Sequence, residues 1–309
     1  MSEPVSIVTP PQGGVGWQDV TTAHAPLRPG RIVLWLVVLL VAANFIWICA
    51  RNENFGWPVV GAYFFNPDVL RGLGFSLFLT VIGMVLGTFI GLLLAVARLS
   101  DDRLAKAVAG IYIWFFRGTP LLVQLIFWYN MSTLFPQLSL AVPFGPALMS
   151  WDTNSVITPL TAAIFGLALN EAAYMAEIIR AGLMSVDRGQ AETASAFGMT
   201  RRRALWRIVI PQAMRSIVPP TGNQLINMVK ATSLVSVIAM SDLLYAVQSI
   251  YNRTFEIVPM LLVAVLWYLV ITTVLNIAQG YIERYYARGD RRSEAATPAQ
   301  SPAGIGDNA

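Results

Sequence analysis

The sequence predicts an all-α fold: a polytopic membrane bundle of about six transmembrane helices, with one polar helical hairpin outside the apolar layer. Composition is the first ground for this. Charged residues make up 12% of the chain and hydrophobic ones 56%, with a mean hydropathy of +0.59, whereas soluble domains carry roughly 25% charged residues. The second is a series of six apolar segments, each near the ~20 residues that cross a ~30 Å hydrocarbon core as a helix. The third is a single departure from that oiliness at Asp187–Pro211, DRGQAETASAFGMTRRRALWRIVIP, which is rich in Arg and in helix formers.

Taken in order, residues 1–30 are rich in Pro, Gly and Thr without an apolar run and are expected to form a disordered cytoplasmic tail. Ile32–Ala50 is the first spanning candidate, so residues 31–51 are read as an N-terminal transmembrane helix. A signal peptide is the competing reading, but the stretch before this apolar core is too long for an ordinary n-region. Gly72–Ala97 follows, uncharged between Arg71 and Arg98. Within it Gly83, Gly87 and Gly91 recur every four residues, a small-residue face suited to close packing inside the chain.

The third segment, Ile111–Phe135, contains Arg117-Gly118-Thr119-Pro120. Proline removes a backbone donor and biases Thr119 away from helix, so Arg117, Gly118 and Pro120 mark an expected helix break. Arg117 either lines the pathway or anchors a helix end. In the fourth, Ile157–Ile179, Asn170, Tyr174 and Glu177 share a helical face. Glu177 and Arg180 read as an interfacial ion pair, whereas Glu171, near mid-membrane, reads as functional, because an acid in hydrocarbon is costly.

The polar interruption comes next. Asp187 with Gln190 three residues on reads as a capping box that starts a short helix. Gly198 stands where a left-handed residue would end it. Thr200 then caps a second helix, Arg201–Ile210, interrupted by Pro211. In the fifth apolar segment, Ile217–Met240, Pro219, Pro220 and Gly222 precede Asn223, Asn227 and Lys230, which fall within about 60° of arc. Such a stripe should face a cavity or polar partners, and a Glu171–Lys230 pair across it is one expectation. Ile257–Ile282 is the sixth segment, and residues 289–309 are expected to be a second disordered cytoplasmic tail.

With the N-terminus cytoplasmic, sixteen Lys and Arg fall in inside segments and only Arg51, Arg71 and Arg253 outside. This positive-inside bias puts both termini and the hairpin in the cytoplasm. His24 and Cys49 are the only residues of their types, so neither a His/Cys metal cluster nor an intrachain disulfide can be built. An intramembrane enzyme finds no catalytic inventory here. Neither Lys106 nor Lys230 follows a glycine, so no Gly-Lys-Ser/Thr phosphate loop is present. The chain should bind no cofactor, metal or nucleic acid.

Glu192-Thr193-Ala194, then Gly198, then Ile208-Val209-Ile210-Pro211 resembles the EAA motif of ABC-transporter permease subunits, with Thr193 and Ile210 as departures. The flanks are similar to the polar amino-acid permeases of that family. They are Tyr174 to Gly182 (YMAEIIRAG), Lys230 to Leu234 (KATSL) and Arg117 to Gln124 (RGTPLLVQ). The resemblance implies a type I importer fold with a permease core at 71–284 and a first helix added to it. It implies a subunit in the bacterial cytoplasmic (inner) membrane that imports polar amino acids as a homo- or heterodimer. A separate ATP-binding subunit would carry ATP-Mg, and an extracytoplasmic solute-binding protein would deliver substrate. On this reading Asp187, Gln190, Glu192, Ala194, Gly198, Arg201, Ile208 and Pro211 couple to the ATPase. Asn170, Glu171, Asn223, Asn227 and Lys230 line the substrate route. The alternative is an ion-coupled secondary transporter with Glu171 as coupling acid.

Overall fold

The computed structural model describes residues 29–141 and 147–287. The two expected tails lie outside the described residues, except that Pro29 and Gly30 already belong to the first helix. That helix, α1 (Pro29–Arg51), belongs to a unit of its own, residues 1–52. Apart from Arg31, Asn44 and Arg51, its residues are apolar around the whole circumference, as in a membrane span. Arg51 closes it with its guanidinium 4.1 Å from the Trp47 ring centroid.

Among its described residues, the regular structure of the second unit is helical apart from one small hairpin. A single 3₁₀ turn, Glu53–Phe55, precedes α2 (Trp57–Phe64) and the 33-residue α3 (Pro67–Leu99), whose cap Asn66 accepts from the Asp68 amide at 2.9 Å. Asp102 likewise caps α4 (Arg103–Gly118) through the Ala105 amide at 2.8 Å. Then come α5 (Leu121–Tyr129), the one-turn α6 (Met131–Leu134), β1 (Gln137–Ala141), β2 (Ala147–Asp152) and the one-turn α7 (Thr153–Val156). The strands pair antiparallel from Gln137↔Asp152 to Leu140↔Met149. The sequence reading contained no strand, so the hairpin is an addition to the all-α expectation. Thr153 holds its base, donating through its amide to the Pro136 carbonyl at 3.1 Å and through its hydroxyl to that of Phe135.

The chain continues with α8 (Pro159–Met184), α9 (Arg188–Ala196), α10 (Arg201–Ala204), a π turn at Leu205–Val209, and α11 (Ile210–Ala231). A 3₁₀ stretch, Thr232–Ile238, leads to α12 (Leu243–Thr254) and finally α13 (Ile257–Ala287). Four helices are individually long and apolar enough to cross a membrane: α1, α3, α8 and α13. Two bent pairs bring the number to six: α4 with α5, at 102°, and Arg201–Ile238 with α12, at 46°.

Glycines set the central packing. A Cβ on Gly83 would lie 3.5 Å from that of Leu167, on Gly87 2.8 Å from that of Glu171, and on Gly91 2.7 Å from that of Met175. Each pair is separated by 84 positions (167−83, 171−87, 175−91), so α3 and α8 run parallel in fixed register. The expected small-residue face is thus an intramolecular contact. Two parallel spans need a return crossing between them, and α4–α5 is the bent pair that supplies it. α11 runs antiparallel to α8, Gly182 packing on Ile217 while Glu171 meets Gln224 further along. Leu79, Leu125, Leu167 and Met228 centre the core where α3, α5, α8 and α11 meet; Val69, Leu243, Val247 and Met260 centre a second one among α2, α3, α12 and α13.

Candidate functional site

The expected break at Arg117-Gly118-Thr119-Pro120 is present, and its cost is visibly met. Thr119 (φ −115°, ψ 142°) and Pro120 (φ −63°, ψ 134°) are extended, which strands the last carbonyls of α4. Buried Gln124 donates through Nε2 to the carbonyls of Phe116 (3.0 Å) and Thr119 (3.1 Å) and to the Thr119 hydroxyl (2.7 Å). Asn170 of α8 donates through Nδ2 to the same Phe116 carbonyl at 2.9 Å and to Gln124 Oε1 at 3.2 Å. Irregular backbone at membrane depth is tolerated only with such partners. Arg117 itself is exposed, its guanidinium 5.4 Å from the Tyr174 ring centroid.

Beside this clamp lies a cavity of about 240 Å³. Its polar lining is Asn170, Glu171 and Tyr174 from α8 with Gln224 and Asn227 from α11, and Leu121, Leu167, Met228 and Ala231 complete the wall. Glu171 is 5% exposed, so its carboxylate depends on the protein for partners. Gln224 Nε2 donates to both of its oxygens, at 3.3 and 3.4 Å, and Asn227 Nδ2 donates to Gln224 Oε1 at 3.4 Å. The result is a short relay of amides ending on one carboxylate. It offers a cationic group an acceptor, and an anionic group amide donors, in one cavity.

Two expectations differ from the geometry. Lys230 does not meet Glu171. It lies exposed in a separate cleft with Ser233, Val265, Tyr268 and Thr272, and the ion pairs among the described residues are Arg71–Asp68 and Arg180–Glu177 alone. Asn223 is exposed and off the cavity lining. Gln224, which was not singled out, takes the place given to Asn223. The signal was available, since an amide within an apolar span falls under the same rule as its neighbours. A second buried acid, Asp242, also went unremarked. It caps α12, accepting from the amides of Leu244 (3.1 Å) and Tyr245 (3.0 Å), which accounts for it structurally. Glu177 pairs with Arg180 at 2.7 Å, as expected from their spacing.

The hairpin follows its sequence signals closely. Asp187 caps α9, its Oδ1 accepting from the Gly189 amide at 2.6 Å. The reciprocal half of the capping box is absent, because Gln190 Oε1 accepts instead from Gln212 of α11 at 3.5 Å. Gly198 has φ +72°, and the amides of Gly198 and Met199 donate to the carbonyls of Ser195 (2.9 Å) and Ala194 (3.0 Å), a Schellman turn. Ala194, 2% exposed, is small enough to sit inside the turn. Thr200 caps α10 through the Arg203 amide at 3.4 Å.

Pro211 does not end the second helix. The Ile210 amide reaches back five residues to the Leu205 carbonyl, and this π turn takes up the ladder position that proline cannot fill. The helical backbone runs on into α11 without a break; Ile208 is half-buried and Pro211 exposed along it. Between the two arms Glu192, Ser195, Arg201, Leu205 and Val209 line an open groove of about 570 Å³, with Phe197 83% exposed at the tip.

Residues 87–288 match the family of binding-protein-dependent transport system inner membrane components. The arginine transport system permease protein ArgU of Corynebacterium glutamicum is 42% identical over 274 residues, 88% of this chain and 85% of that one. The glutamine transport system permease protein GlnP of Escherichia coli is 32% identical, over 74% and 94% of the two chains. A crystal structure of an amino acid ABC transporter with histidines aligns with TM-score 0.60 and 36% identity, over 72% of this chain and 95% of that one. The MetNI methionine ABC transporter in an inward-facing conformation aligns with TM-score 0.52 at 19% identity, a likeness of fold.

Proposed function

Because the chain belongs to the family of binding-protein-dependent transport system inner membrane components, and is a multi-pass permease subunit of an ABC importer for amino acids, we propose that the Glu171 cavity is its substrate route and the α9–α10 hairpin its coupling element. The ion-coupled alternative, with Glu171 as coupling acid, is not supported, since the relatives are ABC-importer permeases.

Positive charge orients the molecule. The hairpin end, with Arg98, Arg103, Lys106, Arg180, Arg188, Arg201, Arg202, Arg203, Arg207 and Arg215, faces the cytoplasm, as do both termini. The strand hairpin then faces outward, where a solute-binding protein would dock. A separate ATPase carrying ATP-Mg receives Phe197 and the groove beside Glu192. Its closure moves the hairpin as a rigid body, because the Schellman turn fixes α9 to α10 and the π turn joins α10 to α11 without a flexible linker. A second permease subunit, identical or related, completes the pore.

The single observation that carries the substrate reading is the relay Asn227–Gln224–Glu171 facing a cavity of about 240 Å³. An amino acid brings an ammonium group to the carboxylate and a carboxylate to the amides. Charge-assisted bonds of this kind contribute about 1.5–3 kcal/mol. Glu171→Gln should therefore lower ATP-driven uptake of radiolabelled arginine about 10- to 100-fold in proteoliposomes, while the ATPase still co-purifies. Unchanged uptake across polar amino acids would remove the cavity from the route.

A further inference from the structure

The helix that links the hairpin to the membrane carries two opposed faces, and only one is used by the coupling reading. Arg201, Leu205 and Val209 line the groove. Arg203, Arg207 and Pro211 each stand two positions later, about 200° further round at 100° per residue. Arg215 continues that second face four residues on, and Arg202 and Trp206 flank it. All of these side chains are exposed, Trp206 by 63%. No acid occurs between Glu192 and Asp242 in the sequence. Among the described residues Arg203, Arg207 and Arg215 have no ion pair.

We propose that this arginine stripe binds the phosphate groups of anionic phospholipids on the cytoplasmic leaflet, making the transporter sensitive to membrane charge. The inference rests on the orientation and the coupling reading given above. Arg215 is the last charge before the uncharged run 216–229, which places it at the edge of the hydrocarbon. Arg207 and Arg203 lie about 12 and 18 Å further along the helix axis at 1.5 Å per residue. The headgroup layer covers roughly 5–8 Å on each side and the screening length adds about 8 Å, so Arg215 and Arg207 lie within the lipid field and Arg203 a few ångströms past it, a gap its long side chain can bridge. Clusters of arginine immediately cytoplasmic of a span are the sequence form of anionic-lipid recognition. Trp206 beside them is the residue type that settles at headgroup depth. The competing partner is an acidic surface of the ATPase.

The test uses the permease assembled with its ATPase in bilayers mixing phosphatidylglycerol and phosphatidylcholine. Spin-labelled forms of each lipid report selectivity for the protein surface. The wild type should prefer phosphatidylglycerol, less so at high salt, and added inorganic phosphate at millimolar concentration should not displace it. R203Q/R207Q/R215Q should lower the preference about fivefold or more, with the ATPase still co-purifying in detergent. R201Q, on the groove side, should keep the lipid preference. The proposal is overturned if the triple variant retains the preference, if R201Q loses it equally, or if the triple variant sheds the ATPase with its lipid selectivity intact. If the wild type fails to assemble with any ATPase, the coupling reading fails instead, and lipid selectivity of the isolated permease still decides the stripe.

Discussion

Proline stands well inside two of the long apolar segments, beyond the first turn where it is harmless, and they respond in opposite ways. At Pro120 the chain turns through 102° between α4 and α5. At Pro219 and Pro220, in the middle of α11, the helix continues. The local chemistry is similar, since each proline removes one amide and crowds a carbonyl four residues back. What differs is the neighbourhood. Gln124 and Asn170 stand ready to take the carbonyls of Phe116 and Thr119. Around α11 the unpaired carbonyls belong to Arg215 and Ser216, both exposed at the hairpin end, and Gln279 of α13 donates to the Pro219 carbonyl at 3.4 Å. A break at membrane depth forms where donors wait for it. Without them the helix bears its prolines.

The comparison can be broken most forcefully at its clamp. Gln124→Leu takes the donor from the Thr119 carbonyl, leaves Asn170 alone on that of Phe116 and strips Asn170 of its Gln124 acceptor, each buried group so orphaned costing about 1–3 kcal/mol. The purified permease should lose about 3 kcal/mol or more of stability against denaturant. A loss under 1 kcal/mol would mean that proline alone makes the bend.

A smaller effect is expected at the hairpin, where conformation matters more than hydrogen-bond partners. Nothing lies within 4 Å of a Cβ placed on Gly198, so the cost of a side chain there comes from φ +72° alone. A left-handed L-residue costs roughly 1–2 kcal/mol, and Gly198→Val should show that locally. It should also lower ATP-driven uptake in proteoliposomes while membrane insertion, followed by immunoblot, is unchanged. Wild-type uptake by Gly198→Val would take the coupling role away from the turn.

The smallest effect should come from Pro219→Ala. A mid-helix proline ordinarily costs about 3 kcal/mol relative to alanine. If its neighbourhood already accommodates it, the substitution should move stability by less than about 1 kcal/mol. A gain near the full 3 kcal/mol in the same denaturant measurement would show α11 to be strained, and the contrast with Pro120 would dissolve.

Much of this was legible because it is local. Gly198, Thr200, Asp187 and Pro120 act through their own backbone and that of the next few residues, and each acts as its position predicts. Gly83, Gly87 and Gly91 reveal a packing face by spacing alone. The cavity was harder, since two adjacent faces of α11 are both polar. Asn223 and Lys230 lie on one, Gln224 on the other, and Asn227 between them. Which face meets Glu171 is decided by how α11 packs against α8 and α13, with Gln279 lying 3.1 Å from a Cβ placed on Gly222. No property of α11 by itself contains that rotation. The strand hairpin at 137–152 escaped for another reason: its described side chains in β2 are exposed, so no buried stripe betrays a period of two.

The parallel seam between α3 and α8 has a mechanical consequence. Where glycines of α3 let the side chains of α8 press directly on its backbone, no side-chain cushion on the α3 side allows slip. Small residues recur on this face of α3 only every fourth position, at Gly83, Gly87, Gly91 and Ala95, so the nearest equivalent seating lies four residues away, about 6 Å. The two helices must therefore travel together as a single plank, carrying Glu171 with them. Any rocking between outward and inward states is then left to the joints on either side of that plank, the clamped bend before α8 and the proline-bearing rod after it.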